Sequence, residues 1–143
     1  MEKILVKKLK QEAIIPNYQS PGASGFDLHA IESIVINPGE IKLIGTGLAF
    51  ELPEGFELQI RSRSGLAVKN GITNVIGIGT VDNDYRGEIK VGLINHSKEP
   101  YFVNVGDRIA QGVLQRYYVS EFEEVSELSE TTRGEGGFNS TGK

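Results

Sequence analysis

The sequence predicts an all-β subunit, a sandwich or barrel of short strands, and three observations predict it. The first is glycine: 18 of 143 residues, well above the roughly 7% of average proteins. That excess points to turns and close backbone approaches and away from long helices. The second is a succession of β-branched apolar runs of strand length, separated by turn residues. The third is period-two alternation inside those runs. In Glu88-Ile89-Lys90-Val91 and in Phe56-Glu57-Leu58-Gln59-Ile60 every second side chain is apolar, the pattern of a half-buried strand.

Taken in order, Ser33 to Ile36 ends at Asn37-Pro38-Gly39, Ile41 to Ile44 at Gly45, and Leu48 to Leu52 at Pro53-Glu54-Gly55. Phe56 to Ile60, Glu88 to Ile94, Tyr101 to Val105 before Gly106-Asp107, and Ile109 to Val119 complete the set of expected strands. One short helix is expected over Ser64 to Asn70, capped by Ser64 and stopped by Gly71. Asp82-Asn83-Asp84-Tyr85-Arg86-Gly87 reads as the tip of a hairpin joining its flanking strands, because Asp, Asn and Gly suit tight turns. From Ser126 the chain turns polar. Its last eleven residues, Arg133 to Lys143, hold one aromatic and four Gly; such a segment cannot build a core and is expected to be mobile when free. The expected organisation is therefore one β domain over residues 1–125 and a Gly-rich arm over 126–143.

Composition narrows the function classes. With 38% hydrophobic and 24% charged residues the chain is an ordinary globular one, long enough to bury roughly two-thirds of its unfolded surface. It contains no Cys, which removes disulfides, thiolate metal sites and Cys nucleophiles together. The N-terminal Met1 to Lys8 has no uninterrupted apolar stretch of signal-peptide length, and no run reaches membrane length; a cytoplasmic protein with no membrane partner is expected. A net charge of −4 opposes nucleic-acid binding, which needs clustered Lys and Arg, but leaves room for a small anion held locally.

Several motifs bear on chemistry. Gly137-Phe138-Asn139-Ser140-Thr141-Gly142-Lys143 has P-loop spacing up to its lysine, yet no Ser or Thr follows Lys143 and no strand and helix frame it. Arg133, Ser140, Thr141 and the glycine amides could still fold around a polyphosphate, with Phe138 free to stack on a base. Asp82 to Gly87 opens like a calcium loop, but Arg86 and Leu93 occupy positions that need oxygen ligands. Arg61-Ser62-Arg63-Ser64-Gly65-Leu66-Ala67 joins two guanidiniums, two hydroxyls and a glycine amide at a strand-to-helix junction, the makings of an anion site. His29 and His96 are too few for a metal cluster, and no Gly-x-Ser-x-Gly elbow exists. A carboxylate activating water is the chemistry that remains.

Together these segments resemble the five motifs of the trimeric deoxyuridine triphosphatases, in the family's order and across nearly the whole chain. Ala23-Ser24-Gly25-Phe26-Asp27-Leu28 resembles the first, Arg63-Ser64-Gly65-Leu66-Ala67 the second, and Gly79-Thr80-Val81-Asp82-Asn83-Asp84-Tyr85-Arg86-Gly87 the third. Gly106-Asp107-Arg108-Ile109-Ala110-Gln111 resembles the fourth, and Arg133-Gly134-Glu135-Gly136-Gly137-Phe138 with Ser140-Thr141-Gly142 the fifth. Ser62 stands where many members have Pro, and Ile76 where some bacterial members have Asn.

The resemblance implies a jelly-roll-like β-barrel subunit of the β-clip type and a homotrimer with active sites at subunit interfaces. It implies Mg2+-dependent hydrolysis of dUTP to dUMP and pyrophosphate, which keeps uracil out of DNA and supplies dUMP for thymidylate synthesis. Asp82 would orient and deprotonate the attacking water, and Asp27 would support the metal through water. Arg63, Ser64 and the Gly65 amide would cradle the phosphates, with Gln111 adding hydrogen bonds and Arg133 reaching the γ end. Gly79, Thr80, Val81 and Lys90 would belong to the segment that receives uracil, and Tyr85 would pack under the deoxyribose. Phe138 would stack over uracil, with Asn139, Ser140 and Thr141 closing beside it. A related enzyme class on the same fold, dCTP deamination, lacks the Asp82-x-x-Tyr85 pairing with a five-motif tail.

Overall fold

The computed structural model describes residues 2–137. Ten strands and one helix follow one another as β1 (Leu5–Lys8), β2 (Phe26–His29), β3 (Ile34–Ile36), β4 (Ile41–Glu51), β5 (Phe56–Arg61), α1 (Ser64–Asn70), β6 (Ile72–Asn74), β7 (Gly79–Val81), β8 (Glu88–Asn95), β9 (Tyr101–Val103) and β10 (Arg108–Arg116). They form two four-stranded sheets, ordered β1-β4-β8-β6 and β2-β10-β5-β7, and the two-stranded sheet β3-β9. All pairings are antiparallel. Among the described residues the sheets stay open instead of closing into one barrel, giving a jelly-roll-like all-β architecture.

The alternation read from sequence becomes the core. Ile89, Val91 and Leu93 of β8 and Leu58 and Ile60 of β5 point inward, each at most 4% exposed. They join Leu28, Ile36, Ile44, Leu48, Val103 and Ile109 in a single cluster fed by all three sheets. Each such side chain contributes roughly 1.5–3 kcal/mol on burial, so the sheets stand or fall together.

Four expectations are corrected. The runs Ile41 to Ile44 and Leu48 to Leu52 are one strand, β4, whose register against β8 shifts between Gly45 and Ala49. Gly47 takes φ +67° there, and a Cβ would sit 2.9 Å from that of Ala13, so only glycine fits. The irregular stretch is repaired by side chains: Thr46 Oγ1 donates to Ile89 O at 2.7 Å, and Glu88 Oε1 accepts from Gly47 N at 3.0 Å. Second, β7 and β8 do not pair as a hairpin; β7 lies on β5 and β8 between β4 and β6, so Asp82 to Gly87 crosses from one sheet to the other. Third, Ser64 is not the helix cap. It is the first helical residue, and Arg63 occupies the cap with extended backbone and no side-chain cap bond, because a guanidinium has no acceptor to offer the free N–H groups. Fourth, β10 ends at Arg116, three residues before Val119. The helix bounds hold, with Gly71 at φ +68° closing its C-terminus.

Residues 117–137 form neither strand nor helix and leave Tyr118, Val119, Phe122 and Leu128 exposed. No helix among the described residues is long and apolar enough to cross a membrane.

Candidate active site

β2, β10 and β5 lie side by side, and their register sets Gln111 opposite both Asp27 and Arg61. Asp27 is buried and serves two guanidiniums: its Oδ1 lies 3.2 Å from Arg63 Nε and its Oδ2 3.2 Å from Arg108 Nη1. Arg63 Nη1 also donates to Arg108 O at 3.0 Å, and Gln111 Nε2 donates to Ser62 O at 2.9 Å. A chain of charge-assisted bonds therefore holds the Ser62–Arg63 backbone in place and presents Ser64 and Gly65, both exposed, at the start of α1. With two cations on one carboxylate the corner carries an excess of positive charge. A Cβ on Gly65 would meet nothing within 4 Å, so the space above that amide is open.

Beside it, burial holds the His29 imidazole below its ordinary value of 6.5; Arg108 and Arg63 act in the same direction and Asp27 opposes them. His29 Nδ1 is buried without a partner among the described residues.

The third motif builds a different place. Thr80, Val81, Asp82, Tyr85, Glu88, Ile89 and Lys90 line, with Leu43, a groove of about 300 Å³. Asp82 is exposed, and its carbonyl accepts from Tyr85 N at 3.1 Å. Asn83 Nδ2 anchors this turn by donating to Pro53 O at 2.7 Å. Tyr85 OH donates to Glu88 O at 3.1 Å, and Lys90 Nζ lies 3.7 Å from Glu88 Oε2. Gly79 is buried, and a Cβ there would meet Ile76 Cδ1 at 3.1 Å and Ile60 Cβ at 3.3 Å, so packing within the chain already demands a small residue.

These places occupy opposite ends of β5. Val81 pairs with Leu58, which sets Asp82 level with Glu57, whereas Arg63 follows the other end; six extended residues span about 20 Å. One copy of the chain thus brings Arg63, Ser64, Gly65, Gln111 and Asp27 together at one end of β5 and sets Asp82 at the other, with Gly79, Thr80 and Val81 running between them along the strand. Arg133 is engaged in its own turn, Nε donating to Gly136 O at 2.8 Å. Phe138, Asn139, Ser140 and Thr141 lie outside the described residues. Arg108 and Glu88 were not singled out from sequence as site residues, although both stand inside or beside recognised motifs.

No group of three or more His, Asp or Glu suited to a metal ion exists among the described residues. Asp27, with each oxygen already facing a guanidinium, suits an outer-sphere contact better than direct ligation. A Mg2+ held chiefly by phosphate oxygens and water fits this donor set.

Fold and site together define a jelly-roll-like all-β subunit with an arginine-rich corner at the start of α1. The dUTPase family profile matches residues 11–142, and the chain belongs to the dUTPase family. It is 60% identical over 141 residues to the deoxyuridine 5'-triphosphate nucleotidohydrolase of Nautilia profundicola, covering 99% of each chain. A mutant dUTPase of Staphylococcus bacteriophage 80alpha, solved with dUpNHpp, superposes with a TM-score of 0.92 at 26% identity over the full length of both chains. A mutant dUTPase from phage phi11 of S. aureus, described with a coordinated structural Mg(II) ion, shares the fold at 24% identity and a TM-score of 0.81, over 87% of this chain and 97% of that one.

Proposed function

We infer that this chain hydrolyses dUTP to dUMP and pyrophosphate, as one subunit of a homotrimer whose active sites combine segments of different copies. The observation that supports the shared site is the strand register: it sets Asp82 level with Glu57 at one end of β5, while Arg63 follows the other end. A second copy packed head to tail brings one chain's corner to another's groove, and three such heterologous contacts close a ring.

In that site Asp82 aligns a water and takes its proton as the water oxygen bonds to the α-phosphorus. The bond from the α-phosphorus to the bridging oxygen breaks, and pyrophosphate departs. A carboxylate is a modest base, so alignment supplies much of the rate. Arg63, Ser64, the Gly65 amide and Gln111 bind the phosphates, with Arg133 at the γ end. Mg2+, when bound, would supply charge neutralisation for the departing pyrophosphate, and Asp27 would hold it through water. Backbone groups from Gly79 to Lys90 accept the uracil edge. They reject cytosine because a mismatched polar edge leaves buried groups unpaired. Tyr85 underlies the deoxyribose. Residues 126–143 form the arm, on which Phe138 covers uracil and Asn139, Ser140 and Thr141 close over the phosphates, excluding water. The reaction removes a precursor of uracil in DNA and yields dUMP for thymidylate synthesis, in the cytoplasm, with no nucleic-acid or membrane partner.

The test is pyrophosphate release from dUTP. The wild-type protein is expected to release it, and Asp82→Asn to lose turnover by roughly 10²–10⁴-fold while still binding dUpNHpp. Full activity in Asp82→Asn would remove Asp82 as the base, and ammonia release from dCTP would replace the reading with deamination.

A further inference from the structure

The residue before Arg63 is where this chain departs from the proline of its resemblance, and the structure gives its hydroxyl a partner in the other sheet. Ser62 Oγ accepts from Asn74 N at 2.8 Å, and Asn74 Nδ2 donates to Ile60 O at 3.0 Å. Asn74 ends β6, in the sheet that does not contain β5. Two bonds therefore clasp the Ile60 to Ser62 backbone across the sheets, while Gln111 Nε2 holds Ser62 O from β10.

Asn74 is 5% exposed, and its Oδ1 has no partner among the described residues. A buried acceptor left unpaired is unfavourable, and an apolar residue at this position would avoid it. What the asparagine gains in return is the clasp. Ile60 is also the register partner of Gly79, so the same two residues fix the strand end that carries the phosphate corner and its contact with the nucleoside segment.

We propose that Ser62 and Asn74 are positioning residues for the phosphate corner: the Ser62 hydroxyl, locked by Asn74, sets the direction in which the chain delivers Arg63, Ser64 and the Gly65 amide. In a site where a displacement of 1 Å can cost about a hundredfold in rate, this clasp does through a side chain what a proline ring does through a fixed φ. Ala at position 62 removes the acceptor and leaves Asn74 N–H buried and unpaired. Thr retains the hydroxyl.

The inference rests on the dUTP-hydrolase reading, and wild-type turnover in the same assay tests that reading separately. The experiment compares Ser62→Ala, Ser62→Thr and Ser62→Cys for kcat and KM with dUTP, for binding of dUpNHpp and of dUMP, and for Tm. Ser62→Ala is expected to weaken dUpNHpp binding and raise KM by about tenfold, with dUMP binding changed less than twofold, since dUMP lacks the β and γ groups. Ser62→Thr is expected to restore wild-type values. Ser62→Cys, near in size with a poorer acceptor, should fall between, and it carries the test should the alanine variant not fold. Lowered Tm in Ser62→Ala or Ser62→Cys with unchanged KM and dUpNHpp binding would make the clasp merely structural and overturn the proposal. Equal weakening of dUMP and dUpNHpp binding would overturn it as well.

Discussion

The two ends of β5 carry the two halves of the site, and they are built on opposite principles. At the Arg63 end, the charges are tied down before any ligand arrives: one buried carboxylate holds two guanidiniums, and Gln111 and Asn74 pin the intervening backbone. At the Asp82 end, the carboxylate stands exposed on a crossing between sheets, held through turn hydrogen bonds from Tyr85 N to Asp82 O and from Asn83 Nδ2 to Pro53 O. The difference suits the roles proposed for the two ends. A polyanion is bound best by donors that need no reorganisation, whereas a base must remain open to the water it activates.

The strongest way to break this comparison is to separate the halves into different chains. Asp82→Asn and Arg63→Gln homotrimers are both expected to be inactive. Trimers reassembled from an equal mixture should regain about one quarter of the sites, by random assortment over heterologous contacts. No recovery in a pyrophosphate-release assay on verified mixed trimers would place both halves in one chain. Next in size, removing Arg133 to Lys143 is expected to lower turnover by about tenfold or more if the arm closes over the site as proposed, while Tm shifts by about a degree or two at most; an unfolded truncation would make the arm structural. Asp27→Ala should lower stability by about 2 kcal/mol in denaturant titration and weaken dUpNHpp binding. That is less than the roughly 3–5 kcal/mol of a fully buried pair, because Arg108 is half exposed. Asp82→Asn, by contrast, should leave stability unchanged.

The smallest effect is a pH dependence. The folded state holds His29 below its ordinary value of 6.5, so below about pH 6.5 the unfolded chain binds the proton more readily. Stability therefore rises with pH through that window and declines as pH falls from 6.5 toward the lowered folded value. His29→Gln should flatten this limb in thermal melts between pH 5 and 7, buffer ranges set by the ordinary histidine titration. An unaltered limb would assign it to other groups.

Much of the fold was legible because local rules govern it. Ser64 to Asn70 reads as a helix from its composition and the glycine that stops it, and β5 and β8 read as strands from period-two alternation. The strands β1, β2 and β6 were not among the expected runs, and β7 was expected only as an unnamed flank of a hairpin; over three or four residues a period is hard to read, and the partners of these strands define them. The split of β4 into two runs was suggested by Gly45, yet the strand continues because Thr46 and Glu88 supply the bonds the irregular backbone lacks. In the site, Arg63, Gln111 and Asp82 were visible as motif residues. Arg108 as a partner of Asp27, 81 residues away in sequence, was not, since no local pattern encodes such a pairing.

By itself, then, the sequence determined the β class, the helix, the turns and the chemical inventory of the site, because propensity, periodicity and residue type act over a few neighbours. Tertiary structure alone decided that Asp82 crosses between sheets, that Asp27 gathers two arginines, that Ser62 is clasped by Asn74, and that Asp82 and Arg63 stand toward opposite ends of β5. Those are outcomes of strand order and register, which are set by how the apolar faces of all three sheets bury one another in a single core.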